Sequence, residues 1–363
     1  NQGIEPGASI ALHSEVTPCE AAKPCTDRTR HNLRVENIGG TSMSRFHEII
    51  DNIILRKEDD IFGRVYVVSA YAGVTNDLLE HKKTRQPGIY KLFEDQENYP
   101  RKMLTLRDQL IELNESLVDC GLDVDEANDF IGDRIDLSIN ILRSMENVLA
   151  SGYVSRGELL LAARELLASL GEMHSAYNSA NILKNKGFQS TFVDLSGWED
   201  GRQLTIDQRI KDSFDNVDPF SSICFATGYT KGTEGIMREF DRGYSEVTFS
   251  KVAVLLGASE AIIHKEYHLC SGDPLLIGEE TAHPVCNTNY DVADQLADVG
   301  MEAIHPRASK PLEINSIPIR VKNAFDPDHP GTLINNDFVA PESKVEIVTG
   351  SNQVACIEVH DTR

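Results

Sequence analysis

The chain has 363 residues, 40% of them hydrophobic and 25% charged, with a formal net charge of −22. That length suffices for one large α/β domain or two smaller ones around a buried core. The acidic excess argues against general binding to nucleic acid or to anionic membrane surfaces, which use Lys and Arg to neutralise phosphates. No apolar run approaches a membrane span. The seven cysteines are odd in number and lack C-x-x-C spacing, so they read as reduced thiols of a cytoplasmic protein.

Residues 1–30 hold Pro6, Gly7, Pro18 and Pro24 among small and polar residues and read as a flexible lead-in. The chain opens on Asn rather than Met, so it reads as a fragment whose upstream part, including any targeting signal, lies out of view. From residue 31 onward short apolar runs alternate with helical stretches, the pattern of a mainly parallel sheet sandwiched by helices. Residues 33–38 predict the first strand, and the helix after it places Phe46, Ile49, Ile50 and Ile53 on one face. Residues 64–70 predict the second strand, followed by a small polar turn over 71–76, at the carboxyl end of a strand where such sheets bind ligands.

Long helices follow over 99–150, with Met103, Leu106, Leu110 and Leu113 forming one stripe, and another helix runs over 155–186 until Gly187 stops it. Strands are predicted at 189–195, 222–227 and 261–265, with a glycine-rich stretch and a helix between the last two. A helix over 290–299, a broken one over 302–313 interrupted by Pro306 and Pro311, and a returning strand over 318–324 complete the pattern. Beyond Pro341 two β-like runs, 345–348 and 354–359, are too few to build a domain and read as the start of a second module.

The chemistry begins at Val35-Glu36-Asn37-Ile38-Gly39-Gly40-Thr41-Ser42-Met43. Paired glycines let backbone N–H groups approach an anion closely, Thr41 and Ser42 can cap the next helix, and its N-terminus adds partial positive charge. Taken alone, the turn is as readily structural as phosphate-binding. No Lys or Arg stands inside it, although phosphoryl transfer favours a cation there.

Further turns follow in order: Ser69-Ala-Tyr-Ala-Gly-Val-Thr-Asn76, Ser155-Arg-Gly-Glu158, Asp241-Arg-Gly-Tyr-Ser-Glu246, Ile263-His-Lys-Glu266 and Gly300-Met-Glu-Ala-Ile-His-Pro306. Together they resemble the aspartokinases of the amino-acid kinase family over residues 31–333, and most closely the branch associated with ectoine synthesis. That branch is similar in Gly-Gly-Thr-Ser-Met-Ser, Phe-Asp-Arg-Gly-Tyr-Ser-Glu, Ile-Ile-His-Lys-Glu and Thr-Asn-Tyr-Asp-Val-Ala-Asp-Gln-Leu. The resemblance implies an amino-acid kinase (carbamate kinase-like) fold over 31–340 and the start of a truncated ACT regulatory module over 341–363. It also implies a homodimer in the full-length protein and phosphorylation of the L-aspartate side-chain carboxylate by ATP with Mg2+, the first step towards aspartate-family amino acids and ectoine.

Residue by residue, the resemblance implies catalytic roles for Asn37, Gly39 and Gly40, and nucleotide or phosphate contacts from Gly39, Gly40, Thr41, Ser42, His264 and Lys265. Substrate contacts fall on Ser69, Thr75, Glu158, Arg242, Ser245 and Glu246. An α-amino acid needs a fork for its carboxylate and an anion for its ammonium, which Arg242 and Glu158 can supply. On spacing alone, Arg242 reads first as a surface partner of Asp241 or Glu246, and the resemblance reverses that preference; Glu158 is equally an early-turn carboxylate and Lys265 a solvated strand-end cation.

Several positions depart from the aspartokinase pattern. Glu246 stands where a shorter acid is commoner, His264-Lys265 where Thr-Asp is usual, and Glu302 where Lys is usual; the ectoine branch shares the last two departures. Asn37 stands where both have Lys, and losing one preorganised charge stabiliser costs about a hundred- to thousandfold in rate. Three explanations stay open: an impaired or non-catalytic homologue, an altered residue, or compensation by Lys231, Arg238 or Lys265. A kinase of glutamate, acetylglutamate or a nucleotide is a further alternative. His264, His268 and His305 fit no short metal-ligand spacing, and Trp198 reads as packing.

Overall fold

The β-branched and aliphatic runs form the strands, and a computed structural model describes residues 32–349 apart from 58–60, 83, 199, 241–242, 279, 299–303 and 344. Its strands are β1 (Arg34–Ile38), β2 (Arg64–Val68), β3 (Ser190–Val193), β4 (Ile223–Thr227), β5 (Glu260–Lys265), β6 (Asn287–Asn289), β7 (Ile319–Asn323) and β8 (Thr332–Asn335). They form one sheet in the order β3-β4-β2-β1-β5-β7-β8-β6, in which only the β7–β8 pair is antiparallel. β2 and β4 are buried along their whole length, as expected of parallel strands covered by helices. Helix Tyr244–Leu255 packs on β1, β2 and β5, and helix Arg156–Asn185 on β2, β3 and β4.

The parallel arrangement brings the carboxyl ends of β4, β2, β1 and β5 to one edge, side by side. The helical stripe after β1 is buried as expected, but its second half, Ile50–Ile54, winds as a π-helix. Gly187, at φ +91°, ends helix Arg156–Asn185. Pro306 does not break a helix. It opens helix Pro306–Ile314 in the first turn, where a missing N–H costs nothing, and Pro311 lies inside that helix.

Strands β6 and β8 were not expected, because Asn-Thr-Asn and a four-residue run carry too little apolar signal. The expected run 345–348 forms no ladder; Val348 N–H donates one hydrogen bond to the Ser271 carbonyl at 2.8 Å. Residues 1–30 and the run 354–359 lie outside the described residues. Cys120, Cys224 and Cys270 are free thiols, whereas Cys286 is disulfide-bonded, against the expectation that all cysteines are reduced. Among the described residues no helix is long and apolar enough to cross a membrane.

Candidate active site

The loops at the carboxyl edge are tied tightly together. Ser69 N–H donates to the Ile38 carbonyl at 3.0 Å, and Gly228 N–H to that of Val68 at 2.9 Å. Ala72 N–H donates to Ser44 Oγ at 2.9 Å, which fastens the turn after β2 to the one after β1. Gly40 has no room for a side chain, since a Cβ would lie 2.6 Å from the Ala70 carbonyl oxygen. A Cβ on Gly39 would meet nothing closer than 3.9 Å, so that glycine leaves the mouth of the turn open. The short helix starts at Gly40 with Gly39 as its N-cap and no side-chain cap, so Thr41 and Ser42 lie within it rather than capping it. Ser42 is buried and donates from Oγ to Glu266 Oε1 at 3.1 Å, which sets a carboxylate against the turn.

Asn37 is buried in β1, where its amide donates to the Val67 carbonyl at 3.2 Å. Lys265, at the end of β5, donates to Glu246 Oε1 at 3.0 Å, while Glu246 Oε2 accepts from His305 N–H at 2.6 Å. Glu246 therefore joins the strand end to the start of helix Pro306–Ile314. His264 turns away into the protein. Its Nε2 sits 2.7 Å from Glu36 Oε2, and Arg64 grips Glu36 at 2.5 and 3.0 Å. Burial opposes the charge on Glu36, but Arg64 and His264 outweigh it and hold the carboxyl well below the usual range. His268 faces Asp326 at 3.0 Å and His305 caps its own helix, so the three histidines form no cluster.

The amino-acid side of the site differs from the expectation. Glu158 is 70% exposed and pairs with Arg238 at 3.1 Å on the surface. A carboxylate that does face the carboxyl-edge loops is Glu172, further along the same helix, in a second Ser-x-Gly-Glu: Ser169-Leu170-Gly171-Glu172. Glu172 is buried; Tyr244 OH donates to its Oε1 at 2.7 Å, Ser245 Oγ lies 3.5 Å away, and the Ala70 backbone bonds to the carboxylate. Its Oε2 has no hydrogen-bond partner. Burial raises the Glu172 carboxyl to about 7, partly opposed by the Tyr244 hydrogen bond.

The two glycines separate the copies. A Cβ on Gly171 would lie 2.5 Å from the Ala70 Cβ, whereas one on Gly157 would meet nothing closer than Ser155 Oγ at 3.9 Å. Close packing on the turn after β2 thus needs a glycine in the second copy only. Ser175, one turn beyond Glu172, donates to the Ser69 carbonyl at 2.8 Å, which docks the same helix on that turn. Ser69, Ser245 and Glu172 are thereby gathered at one place. Thr75 sits half-buried in helix Val74–Leu78, and Arg242 and Glu302 lie outside the described residues.

The profile of the amino acid kinase family matches residues 32–323, which takes in every strand but β8. The chain belongs to the amino acid kinase family. This amino acid kinase is 45% identical over 332 residues to aspartate kinase Ask_Ect of Stutzerimonas stutzeri (strain A1501), covering 90% of this chain and 70% of that protein. It is 27% identical over 348 residues to chloroplastic aspartokinase 1 of Arabidopsis thaliana, across 91% of this chain but only 56% of the plant protein. Its fold is similar to that of E. coli aspartokinase III in complex with aspartate and ADP (R-state), with a TM-score of 0.63, 20% identity, and coverage of 85% of this chain and 65% of the other. The expected family resemblance and the amino acid kinase fold are both borne out.

Proposed function

We propose that this amino acid kinase transfers the γ-phosphoryl group of MgATP to the side-chain carboxylate of L-aspartate, giving 4-phospho-L-aspartate and ADP. The observation that carries the reading is the convergence, at one sheet edge, of the open Gly39-Gly40 turn with the buried, half-partnered carboxylate of Glu172. Glu172, in place of Glu158, receives the substrate ammonium at its unpartnered Oε2, and the cation in turn holds Glu172 ionised. Arg242, two residues before Tyr244, supplies the fork for the α-carboxylate. A substrate bound at both ends presents its side-chain carboxylate to the turn after β1.

A carboxylate oxygen then forms a bond to the γ-phosphorus while the bond to the bridging oxygen of ADP breaks in line. No protein nucleophile is needed. The protein contributes position and charge compensation: backbone N–H groups of Gly39, Gly40 and Thr41, and Lys265 at the end of β5 as a nucleotide contact, while the Ser42 hydroxyl holds Glu266 beside the turn. The Glu266 carboxylate, 3.1 Å from Ser42 Oγ, would offer a hard oxygen ligand beside the turn to the magnesium of MgATP, which would supply charge compensation there. Within the same reading the protein is a cytoplasmic homodimer feeding aspartate-derived amino acids and ectoine, and residues 341–363 open an ACT module.

Asn37 favours a second reading, an aspartokinase homologue that binds its ligands but turns over poorly. Coupled ADP release with aspartate, run on the chain and on Asn37→Lys, tests both. Turnover of aspartate by the unaltered chain supports the kinase. Turnover by the Lys variant alone supports the impaired homologue, and silence of both with ATP still bound removes the kinase reading.

A further inference from the structure

A second cavity, of about 450 Å³, opens where the starts of β1 and β2 meet the end of β7 and the loop after it. Five cations line it, Arg34, Arg56, Lys57, Arg64 and Lys322, against two carboxylates, Glu36 and Asp328. In a chain of net charge −22 this is a concentration against the average. No residue from Gly39 to Ser42 lines it, so it is separate from the phosphoryl-transfer site.

The two carboxylates are already engaged. Glu36 is held on both oxygens by Arg64 and His264, and Asp328 is bound by Arg56. Among the described residues Lys322 has one hydrogen-bond partner, the Pro327 carbonyl at the long distance of 3.4 Å, with Glu36 and Glu260 acting on it only through space. Burial pushes its ammonium down in pKa, and neighbouring Arg56 pushes the same way. His264 also lines the cavity. It is buried, its Nε2 faces Glu36, and its Nδ1 has no partner. Burial disfavours its protonation, so Nε2–H donates to Glu36 and Nδ1 is left as a buried acceptor.

An under-compensated cation beside an orphaned acceptor defines the complementary ligand: anionic oxygens for Lys322 and Arg56, and one hydroxyl for Nδ1 of His264. We infer that this cavity binds a small phosphate-bearing anion carrying a hydroxyl, of which hydrogen phosphate is the simplest. The volume leaves room for a larger phosphate ester. Its walls include Glu36 and His264, the neighbours in sequence of Asn37 and Lys265.

The test is isothermal titration of the full chain with sodium phosphate, sodium sulfate or sodium chloride at matched ionic strength, in saturating ADP to block the nucleotide turn. Sulfate matches phosphate in size and charge but has no hydroxyl at neutral pH. Saturable phosphate binding is expected, weaker binding of sulfate, and none of chloride. Lys322→Gln and Arg56→Gln, two independent variants, are each expected to weaken phosphate by about tenfold or more. Any of three results overturns the inference: sulfate binding as tightly as phosphate, chloride reproducing the heat, or both variants keeping unaltered affinity.

Discussion

Replacing Glu172 by Gln tests the assignment of the substrate ammonium more directly than any other change, because Glu158→Gln is its matched control from the same Ser-x-Gly-Glu spacing. Glu172 is buried with one oxygen unpartnered, so the variant loses a charge-assisted contact worth about 1.5–3 kcal/mol. That corresponds to about a ten- to hundredfold rise in the KM for aspartate. Glu158 is 70% exposed and its surface pair with Arg238 contributes little, so Glu158→Gln is expected to stay within about twofold.

The pH dependence gives a second readout. With its carboxyl at about 7, Glu172 must ionise to hold the ammonium, so kcat/KM for aspartate falls about tenfold per unit below that pH and levels off above it. Glu172→Gln removes this limb.

Stability moves the other way. The folded-state value lies above the ordinary carboxyl value of 4.5, so the protonated form favours the fold. The contribution is complete below 4.5 and is lost as pH rises through about 7, a span worth about 3 kcal/mol in the absence of substrate. Thermal unfolding of the chain and of Glu172→Gln across this window should therefore converge in slope once this one term is subtracted. A large KM effect from Glu158→Gln with none from Glu172→Gln, or an activity limb centred near 4.5, refutes the assignment.

Asn37→Lys is expected to raise kcat for ADP release by about tenfold or more with little change in the KM for aspartate, measured in the same coupled assay. Gly40→Ala places a methyl 2.6 Å from the Ala70 carbonyl and should cost about 1–3 kcal/mol in chemical denaturation. Gly39→Ala, whose Cβ meets nothing closer than 3.9 Å, should leave stability nearly unchanged and weaken ATP binding, seen by titration. Glu36→Gln strips the buried Arg64 of its carboxylate partner and should lower stability by about 3–5 kcal/mol, with a matching fall in Tm.

The sheet was legible because β2 and β4 are nearly continuous apolar runs, the pattern of strands covered on both faces, while β1 and β5 keep short apolar stretches beside the polar residues Glu36, Asn37 and His264. β6 and β8 were not, since a strand of three or four partly polar residues is stabilised by its neighbours rather than by its own pattern. The glycine turn was legible as a strand-to-helix junction, but the positions of Thr41 and Ser42 within the helix were not, because capping depends on where the helix starts. The two Ser-x-Gly-Glu copies are indistinguishable by spacing. One sequence signal did separate them: Gly157 lies in the first turn of its helix, where glycine costs little, whereas Gly171 lies deep inside it, where a glycine needs a packing reason. Glu172 likewise interrupts a stretch that is otherwise small or apolar, the setting in which a carboxylate is informative.

The charge missing at Asn37 can now be followed through the fold. Lys231 donates to the carbonyls of Gly197 and Asp200, at 3.2 and 2.8 Å, and Arg238 pairs with Glu158. Lys265 pairs with Glu246, and the group beside the turn is the acid Glu266. Each cation named as a substitute for the family Lys therefore carries an engagement of its own, and Glu266 makes the surroundings of the turn more negative rather than less. Under the proposed function, neutralising the transferred group falls to the backbone donors and to the magnesium that accompanies ATP, with Glu266 a ligand for that metal rather than a repellent. Activity should consequently depend more steeply on magnesium in the unaltered chain than in Asn37→Lys, where a fixed cation shares the task. Glu266→Gln should raise the magnesium concentration needed for half-maximal rate. A fall in that concentration would instead show that the carboxylate repels the nucleotide, and the account of charge compensation would be wrong.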